Sequence, residues 1–391
     1  MPTPSASPTS VALPAANEPA VSIVVLLTDS LALARECLEA IAAAHDDAVP
    51  TEVVAILNAV GPAVERLVGE EITGARLVRS AVNLGTAAGW NLGFEAARAP
   101  WVALLHEDSA PRPGWLASLV RAAEAHPRAG AIGSRLLLPD GGVENGGWVF
   151  WRDGAVTQLD PRTAPAAMGA IAPYPVDQCS SASLMIDRAA WRQIGGFDER
   201  FFPAIYVDTD LCTALWALGR PVLSDPASLV VHRKNAMVRE GGGALRSFEF
   251  QRFLSRRHCE RYVAKWGGAL EAYLPRDAAV EPWDAPAEAV EAALERCAQR
   301  SAAAAPGTPP TPAERPLTGG DPDGLSLRLL QAQVEVQSAF CDALVESLAA
   351  RMVPSDAELA DLHRRAETLD RILAGRTWRT RNAVRRVLRR G

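Results

Sequence analysis

Residues 21–28, VSIVVLLT, decide the fold of this chain. They form a short, continuous, β-branched run, which is typical of a strand buried inside a parallel sheet. Further strand-like runs follow at Glu52–Leu57, Ala75–Val78 and Trp101–His106, with helical stretches between them, the first at about Leu31–Ala44. Because strands alternate with helices, the sequence predicts an α/β fold with a Rossmann-like, doubly wound, mostly parallel sheet.

The bulk properties of the chain fit a globular protein of the cytoplasm. Its 391 residues suffice for one large domain and a smaller appendage. The formal net charge of −6 argues against a nucleic-acid binder, and six cysteines without a C-x-x-C pair argue against a zinc site or a disulfide framework. The first residues do not resemble a signal peptide, and no apolar run is as long as a membrane span. We therefore expect a cytoplasmic protein.

Composition along the chain predicts five parts. In order, they are a disordered segment rich in Pro, Ser and Thr (1–18), an α/β domain (19–268), an Ala/Pro-rich acidic linker with one short helix near Ala287–Ala298 (269–324), a helical hairpin (325–374) and a basic tail (375–391). The apolar seam of the hairpin has heptad-like spacing, which permits a homodimer. Within the α/β domain, Gly146–Val156 is expected to form a β-hairpin around Asp153-Gly154.

Two acids follow one predicted strand directly. The run Trp101–Leu105 ends in His106, Glu107 and Asp108. Ligands of such sheets bind at the carboxyl ends of the strands, where a carboxylate can hold a hard cation that bridges phosphates. Alternatively, a strand-end acid caps the next turn.

A second pair of acids, Asp208 and Asp210, precedes the helical stretch Leu211–Leu218. A helix cap explains one of them. It explains neither the other acid nor the aromatic residues before the pair. An acid in an apolar, partly closed site has a raised pKa, as a general base requires.

A histidine and an Asn/Gly-rich stretch complete the candidates. His232 ends the strand-like run Ala227–Val231 and could complete a cation site with Asp108, or be a structural or solvated histidine. In the stretch 83–97, Gly85 and its small neighbours allow a backbone to approach a ligand closely. Asn83 and Asn91 can bind a ribose or phosphate, or cap turns.

In this order the segments resemble the family 2 glycosyltransferases, especially the bacterial rhamnosyltransferase-like branch that builds surface polysaccharides. The resemblance covers about Val21–Trp266. The matching segments are VSIVV (21–25), NLG (83–85 and 91–93), HEDSAPRPGWL (106–116), SLMIDRAAWRQIGGFDERFF (183–202), VDTDL (207–211) and VVH (230–232).

The resemblance implies a GT-A fold and a metal-dependent, inverting transfer of a sugar from a nucleotide-sugar to an acceptor hydroxyl. The cation would be Mg²⁺ or Mn²⁺, and the product a bacterial surface polysaccharide or glycoconjugate. By position, Asp208 matches the family's base, Asp108 its metal ligand and His232 a second contact to metal or diphosphate. Glu107, Asn83, Gly85 and Asn91 are assigned to donor binding on the same basis.

Three positions depart from the family pattern. Leu57 stands where an acid usually reads the nucleotide base, and Asp29 or Asn58 could substitute for it. Val207 replaces the first acid of the E-D-x-D motif, and His106 the first acidic or Asn position of the metal motif. These departures motivate an alternative, a catalytically weak or inactive GT-A domain that acts as a binding or scaffold subunit. The joint presence of Asp108, Asp208 and His232 argues against it.

The end of the chain contains arginines and no acids after Asp370. On a helix from about Thr377, the apolar residues Trp378, Val384, Val387 and Leu388 fall largely on one side. This pattern predicts docking of the tail on an anionic membrane surface, which would suit a lipid-linked acceptor at the inner membrane. Alternatively, the tail is solvated or pairs with the acidic linker.

Overall fold

The structure is a computed structural model that describes residues 10–233, 248–303 and 331–343, together with Arg364 and Glu367. The predictions for residues 1–9 and 375–391, and most of the predicted helical hairpin, lie outside the described residues. The chain divides into two compact units, residues 1–242 with 254–318, and residues 243–253 with 319–391. Within the described ranges, no helix has the length and apolar character needed to cross a membrane.

Strands and helices alternate through the first unit. The strands are β1 (Val11–Ala12), β2 (Val21–Leu27), β3 (Thr51–Asn58), β4 (Ile72–Thr73), β5 (Ala75–Ser80), β6 (Trp101–His106), β7 (Ser109–Pro111), β8 (Ala131–Leu137), β9 (Val143–Asn145), β10 (Trp148–Phe150), β11 (Val156–Gln158), β12 (Tyr174–Pro175), β13 (Ser183–Asp187) and β14 (Val222–His232). The helices are α1 (Leu31–Ala43), α2 (Pro62–Arg66), α3 (Gly85–Ala96), α4 (Trp115–Ala125), α5 (Pro165–Met168), α6 (Arg188–Gln193), α7 (Val207–Ala217), α8 (Phe248–Leu270) and α9 (Ala287–Ala303).

The main sheet has the strand order β12-β14-β8-β13-β6-β2-β3-β5, with β7 beside β14 and β9 beside β8. Strands β2, β3, β5, β6, β8 and β14 run in one direction, and β13 runs against its neighbours β6 and β8. The predicted α/β fold with a mostly parallel central sheet is therefore confirmed.

Helices cover both faces of this sheet, which explains why β2 is apolar throughout. Val24 and Leu26 belong to the core formed with α3, α6 and α7. Val25 and Leu27 belong to the core formed with α1, α2 and α4. Successive side chains of a strand point to opposite faces, so a strand covered on both sides shows a continuous apolar run.

The N-terminal segment 1–18, predicted to be disordered, is ordered in its described part. Strand β1 pairs in parallel with β4. The side chain of Leu13 is only 5% exposed, and its N–H donates to Thr73 O at 2.9 Å. The Pro/Ser/Thr-rich composition predicted disorder because the apolar run at residues 11–13 is short. This run nevertheless buries Leu13 and pairs with β4.

The segment 269–324, predicted to be a linker, is part of the first unit where it is described. The short helix expected near Ala287–Ala298 is confirmed as α9, which continues to Ala303. It buries Val290, Ala293 and Cys297, whose spacing of three and four places them on one face. The guanidinium of Arg296 pairs with the fully buried carboxylate of Asp177. These contacts anchor α9 beside β10 and β12.

The predicted hairpin at Gly146–Val156 is confirmed. Strands β10 and β11 pair antiparallel, with Trp148 opposite Gln158 and Phe150 opposite Val156. Gly154, at a φ of +80°, occupies the turn between them. In the second unit, the rings of Phe250, Phe253 and Phe340 pack together, with centroids 4.9 Å apart for Phe250 and Phe340.

Candidate active and cation-binding site

The candidate site lies where β6 and β14 end. Strand β6 ends at His106, and Asp108 follows two residues later. Strand β14 ends at His232, which is paired with Ser109 of β7. Because β6 and β14 run in the same direction, their carboxyl ends meet at the same edge of the sheet, as expected for ligand sites in this architecture.

Three side chains at this edge could hold a metal ion: His106, Asp108 and His232, whose ligand atoms all lie within 4.8 Å of one another. Asp108 Oδ1 lies 3.5 Å from His232 Nε2 and 3.9 Å from His106 Nδ1. Asp108 is only 5% exposed. Two imidazole nitrogens and one carboxylate are ligands that divalent transition ions accept, so the residues present fit such an ion.

The sequence predicts a cation site from Asp108 and His232, whereas His106 is there only a departure from the family pattern. The available signal was the H-x-D spacing, because residues two apart on an extended chain point to the same side. The structure brings all three together and adds two neighbours that sequence reasoning missed, Glu144 and Ser181.

Glu144, on β9, orients His232. Its Oε2 lies 2.9 Å from His232 Nδ1. Burial lowers the pKa of His232, but the carboxylates of Asp108 and Glu144 outweigh burial and raise this pKa to about 9. Sequence offered no signal for Glu144, because its position depends on the pairing of β9 with β8.

Ser181 lies beside His106. Its Oγ is 3.0 Å from His106 Nε2, and the His106 ring stacks on Trp90 with centroids 5.9 Å apart. Burial lowers the pKa of His106. The ring is therefore held on its edge by a hydroxyl and on its face by an indole.

Asp208 is the second residue of α7 and is joined to the same serine. The backbone N–H of Ser181 donates to Asp208 Oδ2 at 3.0 Å. Burial raises the pKa of Asp208, and the hydrogen bond from Ser181 and the charge of His106 only partly offset this. A half-buried carboxylate with a raised pKa can accept a proton from a hydroxyl.

The helix-cap alternative for the acid pair is wrong. The N-cap of α7 is Tyr206, and no side chain there makes a capping hydrogen bond. Asp210 instead bonds to Lys265 and to the indole N–H of Trp266 at 2.7 Å, which ties α7 to α8. Of the two acids, only Asp208 belongs to the candidate site.

The residues proposed to read the nucleotide lie near the ends of β2 and β3. Asn58 Oδ1 accepts from Leu84 N at 2.7 Å, and its Nδ2 donates to Asn83 Oδ1 at 3.2 Å. Asp29 Oδ1 accepts from Gly61 N at 2.8 Å. These bonds order the loops that would surround a nucleotide.

Gly85 serves a packing role. Its φ is +67°, and a Cβ there would lie 2.8 Å from both the Phe202 ring and Pro203 O. The close approach is therefore to the segment Phe202–Pro203, and Thr86 N donates to Pro203 O at 2.7 Å.

Asn91 does not face the site, which corrects its assignment to donor binding. It is 2% exposed. Its Nδ2 donates to Phe197 O and Glu199 Oε1 at 3.0 and 2.8 Å, and its Oδ1 accepts from Phe197 N at 2.8 Å. Both N–H groups of the amide are in use, so Asn91 holds the segment before α7 in place.

Glu107 borders the same cavity as Asp108 and is bound to the end of β2. Its carboxylate accepts from the backbone N–H of Thr28 at 2.7 Å and from the Thr28 hydroxyl. Burial raises its pKa to about 7, although both bonds from Thr28 lower it. Glu107 thus ties the end of β6 to the end of β2.

A cavity of about 380 Å³ adjoins Asp108. It lies between α1 and the β7–β14 pair and is lined by apolar side chains such as Leu33 and Pro111, with Arg112 and Arg233 among its polar residues. The cavity provides space beside the Asp108 carboxylate.

Residues 10–169 match the family model for glycosyl transferase family 2. A Mycobacterium tuberculosis N-acetylglucosaminyl-diphospho-decaprenol L-rhamnosyltransferase is 32% identical over 146 residues, 34% of this chain and 47% of that protein. A pre-mycofactocin glycosyltransferase of the same organism is 31% identical over 158 residues, 40% of this chain and 32% of that protein. The chain thus spans about half, or less, of the curated relatives it matches.

A solved structure, that of GalNAc-T7 with UDP, GalNAc and Mn²⁺, superposes with a TM-score of 0.50 and 13% identity. The superposition covers 66% of this chain and 49% of that one. At this identity the likeness concerns the fold alone, and it confirms the predicted GT-A fold.

Proposed function

We propose that this chain, whose residues 10–169 match the family model for glycosyl transferase family 2, is a metal-dependent, inverting glycosyltransferase that moves a sugar from a nucleotide-sugar to an acceptor hydroxyl. One observation carries the proposal. Ser181 joins the carboxylate of Asp208 to His106, which lies with Asp108 and His232 in one cluster. A candidate base and a candidate cation site thus stand side by side at the carboxyl edge of the sheet.

Asp208 is the proposed general base. It takes the proton of the acceptor hydroxyl while that oxygen bonds to the anomeric carbon, and the bond from this carbon to the nucleoside diphosphate breaks. A single in-line displacement of this kind inverts the anomeric configuration. The raised pKa of Asp208 supports the assignment, because a base works best when its pKa approaches the working pH.

His106, Asp108 and His232 are the proposed cation ligands. A divalent ion bound there would neutralise charge on the departing diphosphate. Glu144 supports His232 through its Nδ1, a carboxylate–histidine arrangement that orients ligating imidazoles in metal sites.

The donor nucleotide is proposed to lie over the ends of β2 and β3. There Asp29 and Asn58 stand beside the buried Leu57, and Asn83 is exposed on the next loop. Gly85 shapes the backbone of the neighbouring loop, and Glu107, which borders the cavity beside Asp108, ties the ends of β6 and β2 together.

The acceptor is proposed to be a glycan or lipid-linked glycan in surface polysaccharide or glycoconjugate synthesis. The 32% identical relative is named as a rhamnosyltransferase of N-acetylglucosaminyl-diphospho-decaprenol, which is a lipid-linked sugar. This similarity supports a lipid-linked acceptor for the present chain. The basic tail, residues 375–391, is proposed to dock on the inner face of the cell membrane. We also propose a homodimer through the heptad-like seam within residues 325–374.

Turnover of nucleotide-sugars with Mn²⁺ or Mg²⁺ tests the proposal against the inactive-scaffold alternative. Asp208→Asn should lower the rate at least about 100-fold, the low end for loss of a general base. Asp140→Asn, at an exposed loop carboxylate, is the matched control and should retain the wild-type rate. Equal rates for wild type and Asp208→Asn would remove the role assigned to this residue. Absence of turnover in wild type across donors would favour the scaffold.

A further inference from the structure

The candidate cation site is rich in nitrogen. Two of its three ligand atoms are imidazole nitrogens, from His106 and His232, and only Asp108 supplies oxygen. Mg²⁺ prefers oxygen ligands and gives up its waters reluctantly. Imidazole nitrogen binds transition ions, and affinity for mixed nitrogen and oxygen sites rises along the first row from Mn²⁺ to Co²⁺ and beyond. The residue that changes the balance is His106, which stands where the family pattern has an acid or an asparagine.

The ring of His106 is held in an orientation that suits metal binding. Its Nδ1 faces Asp108 Oδ1 at 3.9 Å, and its Nε2 lies 3.0 Å from Ser181 Oγ. When Nε2 carries the proton and donates to Ser181, the lone pair of Nδ1 points toward the carboxylate. Trp90, stacked on the ring, limits its rotation. Ser181 is 1% exposed, so its hydroxyl cannot turn away to bulk water.

The ring of His232 has the complementary arrangement. Its Nδ1 lies 2.9 Å from Glu144 Oε2, and its Nε2 lies 3.5 Å from Asp108 Oδ1. When Nδ1–H donates to Glu144, the lone pair of Nε2 faces the same carboxylate. Each imidazole thus has one nitrogen bound to an orienting side chain and the other aimed at Asp108.

From this geometry we infer that the site selects a divalent transition ion such as Mn²⁺ or Co²⁺ over Mg²⁺, and that His106 determines this selectivity. Ser181 and Glu144 are positioning residues for the two imidazole rings. The inference rests on the proposed function in that the ion serves sugar transfer. Ser181 also bonds Asp208, so the residue that orients a metal ligand also orients the candidate base.

The first test measures binding of Mn²⁺, Co²⁺ or Mg²⁺ alone to the full chain by calorimetry, with pulsed EPR of bound Mn²⁺ to detect imidazole nitrogen. Wild type should bind Mn²⁺ at least about tenfold more tightly than Mg²⁺, with nitrogen coupling in the EPR signal. His106→Asp should reduce this ratio at least about tenfold, because it replaces a nitrogen with oxygen. His106→Asn is a second oxygen-ligand variant should a carboxylate beside Asp108 prevent folding.

The second test separates positioning from packing. Ser181→Ala and Glu144→Gln should each weaken Mn²⁺ binding about 10- to 100-fold, the usual effect of removing an orienting partner. Ser183→Ala is the matched control, because this buried serine bonds Ser134 at 2.7 Å and is not part of the site. The thermal unfolding temperature of the metal-free protein is the second measurement. If Ser181→Ala leaves this temperature unchanged while Mn²⁺ binding weakens, Ser181 positions the ligand and is not needed for folding.

Equal affinity of wild type for Mn²⁺ and Mg²⁺, or a selectivity that His106→Asp leaves unchanged, would overturn the inference while leaving sugar transfer intact. Mn²⁺ binding unaffected by Ser181→Ala and Glu144→Gln would overturn their positioning role. Absence of sugar transfer despite selective Mn²⁺ binding would instead count against the proposed function. Because binding is measured without turnover, the two failures are distinguishable.

Discussion

His232 Nε2 lies 3.5 Å from Asp108 Oδ1 at the carboxyl edge of the sheet. The two residues come from separate parts of the chain and meet because β7, directly after Asp108, pairs antiparallel with the last residues of β14. One ladder therefore fixes the distance between two proposed cation ligands.

Asp108→Ala should weaken metal-dependent donor binding, because it removes the only carboxylate of the proposed ligand set. We expect the affinity for a nucleoside diphosphate measured with Mn²⁺ to fall at least about tenfold, toward the value measured with EDTA. Titration calorimetry with UDP and GDP, with and without Mn²⁺, measures the change. Glu36→Ala, at an exposed acid that also borders the nearby cavity, is the control. Mn²⁺-dependent binding that survives in Asp108→Ala would contradict the assigned ligand.

Gly85→Ala should destabilise the fold by about 2 kcal/mol or more. An alanine at a φ of +67° costs roughly 1–2 kcal/mol, and its Cβ would overlap Phe202 and Pro203 O. Gly69→Ala is the matched control, because nothing lies within 4 Å of a Cβ built there. Chemical denaturation of both variants measures the difference. If Gly85→Ala has the same free energy of unfolding as wild type, the segment Phe202–Pro203 can shift to accommodate the new Cβ, and the prediction is wrong.

His258 should make the stability of the chain depend on pH. Burial, together with the charges of Arg261 and Arg257, lowers its pKa to about 4, and its Nδ1 lies 3.0 Å from Ile205 O. The unfolded chain binds this proton near pH 6.5, so the stabilisation is fully present above that pH and is lost as pH falls toward 4. Between pH 7 and pH 5 the loss should be about 2 kcal/mol.

His258→Asn should shrink that pH-dependent loss of unfolding free energy by about the same amount. Denaturation at pH 5 and pH 7 measures it, with His126→Asn, at an exposed histidine, as the control. If His258→Asn and wild type lose the same stability between the two pH values, another group is responsible.

Removal of residues 375–391 should abolish binding to anionic vesicles. The segment is rich in arginine and has no acids, and each arginine near an anionic surface contributes about 1 kcal/mol. Sedimentation with phosphatidylglycerol vesicles measures the loss, and phosphatidylcholine vesicles provide the baseline. Equal binding of full-length and shortened chains to anionic vesicles would exclude the tail as the anchor.

Much of the fold could be predicted because a buried strand or helix has a recognisable local pattern of apolar residues. The continuous apolar run at β2 indicated a strand covered on both faces, and the alternation of such runs with helices indicated the sheet type. The prediction was wrong where the composition of a segment suggests a linker but the segment packs against the core. The acidic, Ala-rich α9 resembled a linker, yet Val290 and Cys297 on one of its faces are fully buried.

The sequence by itself determined the α/β fold, the strand-end positions of Asp108 and His232, and Asp208 as a candidate base. Only the tertiary structure decided that His106 joins them, that Ser181 and Glu144 orient the two imidazoles, and that Asn91 belongs to a buried network. The reason is physical. A strand or helix records its own burial in a local periodicity, whereas a hydrogen bond between distant segments depends on strand order and register, which no local pattern specifies.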